Sequence, residues 1–536
     1  KNWSHAWLHE SFATYFDALY TRESKGENEF RYQLLENAET YFSEDYAYRR
    51  PIVTNVYKEP IDLFDAHLYP GGAVRLHHLK SIIGEKLFRK GLKVFLDRHS
   101  YNLVETTDFI RCLEEVTGCN FDEWLHQWIH RGGYPKLELT FDWNANDKVA
   151  TVGIKQTQKS DKKNEELLFK IPFILEFYYK NSEERFSVEI KSDKEQFYFC
   201  LKNKPLFFRI DPDYTCPCKV VFSDVPRPML YEQLKRDSDP IGRLEAASAL
   251  TKNSSTEDVN ILGERLKKEK EWGVAIRIAK ALGKIGGDEA RNFLIKGLKS
   301  SDPKIRKGII RALGSFCHDE KAILSIRQCA KNDSSYRVEA IALQMLGKVK
   351  DRDSFAFLES SISRKSHNAM AQTAIYNALA ELEDEKSWDY LIRGAEYGAH
   401  RNSRQAAMRA LAKLAHRYPY RKVEVVEHLT RFAHEKRGTP AATFRGKLGA
   451  IMAMKQLDDL SVVPALRQIV DNETDGRLQR RAEDTISYLR ESAKKPKEMK
   501  EIRSELDSVI TENKLLRERM NIIEKKHAAK TRKKKG

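Results

Sequence analysis

Arg277-Ile-Ala-Lys-Ala-Leu-Gly283 returns further along the chain as Ile309-Ile-Arg-Ala-Leu-Gly314. Equivalent apolar residues stand at Leu250, Leu282, Leu313, Leu346, Leu379 and Leu411, and then at Met454 and Ile486. The steps between them are 32, 31, 33, 33, 32, 43 and 32 residues. A period of that size, with room for two helices in each unit, is the signature of an α-solenoid. A single unit cannot bury its own apolar face, and stacking supplies the missing partner. The spacing predicts one helical repeat domain over residues 230–492.

The pattern changes on both sides of this block. Between 137 and 226 the period falls from helical to two. Leu137, Leu139 and Phe141 alternate with polar residues, as do Phe169 to Phe177 and Phe186 to Ile190, and Val149, Val152 and Ile154 do so less regularly. Short alternating runs separated by turn signals such as Asn144-Ala-Asn-Asp147 predict a small antiparallel β-sandwich. Residues 1–136 return to helical spacing, in Trp7, Phe12, Tyr15, Phe16 and Leu19 and again in Phe109, Leu113 and Val116. Thr106-Thr-Asp108 reads as a helix start and Gly118 as its stop, and Gly132-Gly-Tyr-Pro135 closes the region. Beyond the repeats, Ile502, Leu506, Val509, Leu516, Met520 and Ile523 keep a 4-3 spacing with Asn513 on the same seam. Residues 495–536 therefore suit either a short coiled coil or a lone amphipathic helix, ending in a basic tail expected to be disordered. The fold class expected is multidomain and mainly α: a helical domain, a small β-sandwich, an α-solenoid of HEAT-like repeats and a C-terminal helix.

With 536 residues the chain is too long for one core. No run of about 18 apolar residues occurs, so no membrane-spanning helix is expected. The net charge of +16 is concentrated partly at the C-terminal end, which makes it weak evidence for nucleic acid. Seven cysteines at scattered positions are no disulfide framework, and a reducing, cytoplasmic setting is expected. Cys216-Pro-Cys218 lacks a second Cys/His pair at zinc-like spacing and is read as a turn.

The residues that carry chemistry lie near the start. Trp3-Ser-His-Ala-Trp-Leu-His-Glu-Ser-Phe-Ala-Thr-Tyr-Phe16 places Glu10 on an otherwise aromatic helix face, where an unpaired carboxylate needs a reason to be. Leu68-Tyr-Pro-Gly-Gly-Ala-Val-Arg-Leu-His-His-Leu79 places Tyr69 just before a helix. These two segments resemble the M1 (gluzincin) family of zinc aminopeptidases, whose pattern W-L-N-E-G-F-A carries the third zinc ligand and whose Y-x-K-G-A carries the tyrosine that donates to the oxyanion. The resemblance assigns Glu10 as a metal ligand and Tyr69 as the oxyanion donor. Three departures stand out: His9 replaces the usual Asn, Ser11 the usual Gly, and Gly71 the usual Lys. Ser11 is small enough to preserve close helix packing. His5 and His9 share a helix face at i, i+4, but His5 matches a family position that is not a ligand. His126 and His130 flank Gln127, which cannot serve as a general base, so this stretch reads as the structural close of the helical domain.

The family's H-E-x-x-H motif is absent from this chain. The resemblance puts it about ten residues before Lys1, so an upstream segment is expected. The helical domain at 1–136 would then be part of a thermolysin-like catalytic domain, and the function implied is Zn2+-dependent removal of N-terminal residues from peptides. The chain alone, with one ligand of three, is expected to be inactive. The alternative is a non-catalytic, peptidase-like scaffold whose repeats bind protein or nucleic-acid partners. Retention of both Glu10 and Tyr69 favours the enzyme. Peptide substrates and a protein partner on the repeats are the partners expected, rather than nucleic acid or a membrane.

Overall fold

A computed structural model describes residues 2–158, 167–351, 353–436, 438, 440–494, 505, 506 and 509. The predicted coiled coil and basic tail at 495–536 lie outside the described residues, apart from Glu505, Leu506 and Val509. The chain divides into two compact units, 1–253 and 254–536.

The first unit opens with six helices: α1 Trp7–Lys25, α2 Glu27–Ala47, α3 Gly72–Ile83, α4 Glu85–His99, α5 Thr106–Thr117 and α6 Asp122–Trp128. Their cores are aromatic. Trp7, Phe12 and Phe109 pack edge to face, and Phe95 joins Phe109 from α4. Glycine punctuates the chain as read from sequence, since Gly118 takes a left-handed conformation (φ 71°) that ends α5. α5 starts at Thr106, and its cap stands one residue before, where Glu105 and Asp108 form a capping box.

Seven strands follow: β1 Lys136–Asn144, β2 Val149–Gln156, β3 Ile171–Tyr178, β4 Glu183–Ile190, β5 Lys194–Cys200, β6 Phe207–Ile210 and β7 Lys219–Asp224. They form two sheets, ordered β5-β2-β1-β7 and β4-β3-β6. The inward residues of the two sheets meet in the ring pairs Phe141–Phe208 (5.2 Å) and Phe177–Phe199 (5.0 Å), so the element is a sandwich. It is not purely antiparallel, because β7 runs parallel to β1. Strand β7 is far from β1 in sequence and is not bound to hairpin direction. Helices α7 Arg227–Arg236 and α8 Pro240–Ala249 complete this unit. A buried cluster fastens them, in which Arg209 from β6 meets Asp237 at 3.5 Å and Asp239 at 3.0 Å.

The second unit is the solenoid. Its outer helices are α9 Thr256–Lys268, α11 Gly287–Gly297, α13 Glu320–Asn332, α15 Ser354–Ser361, α17 Trp388–Ala395, α19 Lys422–Ala433 and α21 Val463–Asn472. Each pairs with the next, namely α10 Trp272–Ile285, α12 Pro303–Leu313, α14 Tyr336–Lys348, α16 Met370–Leu382, α18 Arg401–Arg417, α20 Pro440–Leu457 and α22 Gly476–Lys494. These second helices stack directly upon one another. The leucines that set the period, from Leu282 to Leu411, are fully or almost fully buried. The glycine after three of them has a steric cause. A Cβ on Gly347 would lie 2.4 Å from the Ala378 carbonyl oxygen, and one on Gly283 2.9 Å from that of Ala312. Successive second helices therefore approach to backbone contact. No described helix is long and apolar enough to cross a membrane.

Candidate active site

Glu10 lies in the first turn of α1, half-exposed, with its amide bonded to the Ala6 carbonyl. At a helix N-terminus the macrodipole favours an ionised carboxylate. Tyr69 reaches it from a different element. Residues His67–Gly71 form a π-helical turn that runs straight into α3. Pro70 explains the turn: it has no N–H to give to the Ala66 carbonyl, and Gly71 makes that bond instead, at 2.8 Å, one residue later. The phenol of Tyr69 faces Glu10. Partial burial, then the charge of Glu10 and a hydrogen bond with it, push the Tyr69 hydroxyl above its ordinary pKa.

Four contacts hold this pair. The Ser11 hydroxyl, fully buried, donates to the Leu68 carbonyl at 2.5 Å and ties the residue after Glu10 to the residue before Tyr69. Gly72 lies under the same hydroxyl, and a Cβ there would come within 1.9 Å of Ser11 Oγ. The Asp65 carboxylate accepts the amides of His67 (2.9 Å) and Leu68 (3.1 Å), capping the π turn. Arg50 grips that carboxylate with two donors, at 2.9 and 2.7 Å. His67 and Arg50 together hold the Asp65 pKa down at about 2 against the cost of burial.

Beneath the turn, buried Arg75 donates to four oxygens: Trp128 O, Gly71 O, the Tyr41 hydroxyl and Gly133 O. The close of the helical domain is thereby fastened to the turn that carries Tyr69. Gln127 pairs with both backbone groups of Lys170, which gives the His126–His130 stretch its structural role. His67 is buried between two carboxylates, with Nδ1 3.1 Å from Asp65 and Nε2 3.8 Å from Asp45. Burial opposes its charge, but Asp45 and Asp65 outweigh burial and raise its pKa.

The sequence did not point to Asp45, Asp65, Arg50 or Arg75. Asp65 ahead of a helical segment was the signal that could have been used. Gly71, which departs from the resembling pattern, is explained by Tyr41: a Cβ at position 71 would lie 2.8 Å from the Tyr41 ring. His5 is occupied structurally, since its Nδ1 accepts the Thr106 amide (3.2 Å) and lies 2.9 Å from the Thr106 hydroxyl. His9 is exposed. Cys216 and Cys218 are buried free thiols on either side of a tight turn, in which the Cys218 amide donates to Cys216 O at 2.8 Å. Among the described residues no three His, Cys, Asp or Glu side chains gather as a metal site. Glu10 fits a zinc site as a single carboxylate ligand, while a catalytic zinc takes three protein ligands.

Residues 1–128 match the Peptidase family M1 domain. Over this segment the chain is M1 aminopeptidase-like. Residues between 227 and 412 match HEAT repeats in four overlapping segments. Aminopeptidase M1-A of Oryza sativa subsp. japonica is 33% identical over 140 residues, covering 26% of this chain and 16% of the relative. Probable aminopeptidase 2 of Sulfurisphaera tokodaii is 29% identical over 203 residues, covering 36% of this chain and 25% of the relative. The matched parts thus span a quarter or less of these two relatives. The fold of Legionella pneumophila aminopeptidase A, solved with aspartic acid, superposes with a TM-score of 0.62 over 90% of this chain and 63% of that one, at 15% identity. The M1-like segment contains both Glu10 and Tyr69, and the helix pairs of the second unit up to residue 412 match HEAT repeats in sequence.

Proposed function

We propose that this chain belongs to a zinc-dependent aminopeptidase that removes N-terminal residues from peptides, with Glu10 as a metal ligand and Tyr69 as the oxyanion donor. The observation that carries the proposal is the meeting of Glu10 and Tyr69, two residues from separate motifs held face to face by Ser11, Gly72 and Asp65. Similarity to aminopeptidases over the segment that contains both supports it.

Zinc, when bound, supplies Lewis-acid polarisation of the scissile carbonyl and a more acidic water. The residues of this chain have distinct parts. Glu10 offers a carboxylate, held at a helix N-terminus and half-exposed. Tyr69 has an O–H to donate where negative charge develops on the substrate oxygen, and burial and Glu10 push its pKa further up. Asp65, Arg50 and Arg75 are positioning residues: they set the backbone on which Tyr69 stands.

The protein in which this chain is joined to an H-E-x-x-H segment should hydrolyse aminoacyl 4-nitroanilides and lose activity to a chelator. Tyr69→Phe should lower kcat by roughly 10²-fold or more with zinc content unchanged. Glu10→Gln should reduce zinc content. An unchanged kcat in Tyr69→Phe overturns the role given to the phenol. The chain by itself brings one ligand of the expected three and should bind zinc weakly and be inactive. Tight stoichiometric zinc on this chain, measured by metal analysis after dialysis, overturns that assignment.

A further inference from the structure

The two layers of the second unit differ in charge. Six of the seven stacked second helices, α10, α12, α14, α16, α18 and α20, carry 17 Lys and Arg residues, while the last, α22, mixes both signs. Against these stand two acids, Glu339 and Glu381, and both are neutralised locally, by Arg364 at 3.6 Å and Lys413 at 2.8 Å. Helices α10, α12, α18 and α20 contain no Asp or Glu at all. The outer helices α9, α11 and α19 instead balance the two signs, as in Thr256–Lys268 with three acids and three bases, while α13 carries three bases to one acid. An uneven net charge of the whole chain does not require this; the excess is sorted by layer.

The repeat sets where these cations stand. Lys280, Arg311 and Arg409 each lie two residues before the buried leucine of their helix, and Lys284, Lys348 and Lys413 two residues after it. Positions four apart share a helix face, so the cations line up from one helix to the next. Lys280, Lys284, Arg311, Arg337, Lys348 and Arg409 are exposed, and none has an ion-pair partner among the described residues. Other basic residues of these helices have structural work, among them Arg306 with Asp333 and Arg404 with Glu435, both buried, and Lys447 with Glu473.

We propose that this layer is a docking surface for an extended acidic polypeptide segment. Charge complementarity selects a polyanion, since cations without partners gain from a ligand that brings the missing carboxylates. The scarcity of aromatic platforms selects polypeptide over single-stranded nucleic acid: Tyr336 is the one exposed aromatic on these six helices, whereas strand-binding grooves stack successive bases on rings. Five steps of 8–10 Å between stacked helices give a track of roughly 40–50 Å. At about 3.3 Å per residue an extended segment of about 12–15 residues would follow it. The surface is independent of Glu10 and Tyr69, so its test is a binding measurement that no loss of peptidase activity can mimic.

The probes are a fluorescein-labelled peptide of about fifteen residues alternating Glu and Ser, the same peptide with Gln for Glu, a five-residue acidic version, and an oligothymidylate of about fifteen nucleotides, each titrated with the whole chain and read by anisotropy. The long acidic peptide should bind at least tenfold tighter than each of the others, and its affinity should fall steadily with added salt. The double variant Lys280→Glu, Arg311→Glu should lose at least tenfold. The control Lys296→Glu, Lys321→Glu, which reverses exposed charges on α11 and α13, should change affinity less than twofold. Both variants should melt at the temperature of the parent, because the reversed side chains are exposed. Equal binding of the Gln peptide, or an unchanged affinity in the α10/α12 variant, overturns the proposal. Tighter binding of the oligothymidylate than of the acidic peptide overturns it in favour of a nucleic-acid surface.

Discussion

Gly72→Ala tests the contact on which the candidate site rests. The added Cβ would stand 1.9 Å from Ser11 Oγ and 2.6 Å from Ser11 Cβ, both fully buried, so α1 and the start of α3 must separate. Overpacking of this kind costs about 1–3 kcal/mol. Separation also stretches the 2.5 Å bond from Ser11 to Leu68 O, worth about 1 kcal/mol. A combined loss of about 2–4 kcal/mol should lower the melting temperature of the first unit by roughly 4–16 °C, at 2–4 °C per kcal/mol for a body of this size. The assay is thermal unfolding by circular dichroism, repeated in a Ser11→Gly background. There the clash is gone, and Gly72→Ala should be nearly neutral or slightly stabilising, since alanine is the better helix former. The coupling between the two changes should therefore be at least 1 kcal/mol. A Gly72→Ala protein that melts within a degree of the parent, or that is equally destabilised with and without the Ser11 side chain, would refute the packing argument. The position of Glu10 against Tyr69 would then need another explanation.

Three further outcomes are expected. Arg75→Ala strands four buried oxygens that now share one guanidinium and should cost about 3–5 kcal/mol in urea unfolding, far more than the loss of an exposed arginine. Gly347→Ala drives a Cβ to 2.4 Å from a backbone carbonyl of the next second helix, and it should destabilise the solenoid by about 1–3 kcal/mol while leaving the first unit's melting transition in place. His78 is buried against Trp128 at 4.7 Å, and burial pushes its pKa down to about 4, below its unfolded value. Its contribution to stability is therefore full above about pH 6.5 and is lost as pH falls through 4, to the extent of about 3 kcal/mol. Proton NMR should show the ring neutral at pH 6, and a midpoint near the ordinary histidine value would contradict this.

The solenoid was legible because its signal is repeated: each buried leucine recurs in phase, and the glycine that follows marks a helix contact too close for a side chain. Glu10 and Tyr69 were legible through local motifs, which survive because each motif shapes its own turn. What escaped the sequence was nonlocal. Arg75 is one basic residue in a helix until Trp128, Gly133 and Tyr41 converge on it from distant positions. Asp65 looks like any loop aspartate until Arg50 and the π turn close around it. The parallel pairing of β7 with β1 depends on a long return path that no strand period encodes. The sorting of charge by layer was hidden too, because the net charge sums over helices that face different ways.

The extra residue in the turn before α3 sets an angular phase. Each residue of an α-helix rotates the chain by about 100°. By closing its bond to Ala66 from Gly71 rather than from Pro70, the chain inserts one residue that the following helix does not count. Tyr69 can therefore point toward Glu10 while Gly72, Arg75, Leu76 and Leu79 keep their directions into the core. Deleting Pro70 would not merely shorten the segment. It would turn Tyr69 by about a quarter circle relative to α3, so that either the phenol or the buried face of the helix would have to lose its place.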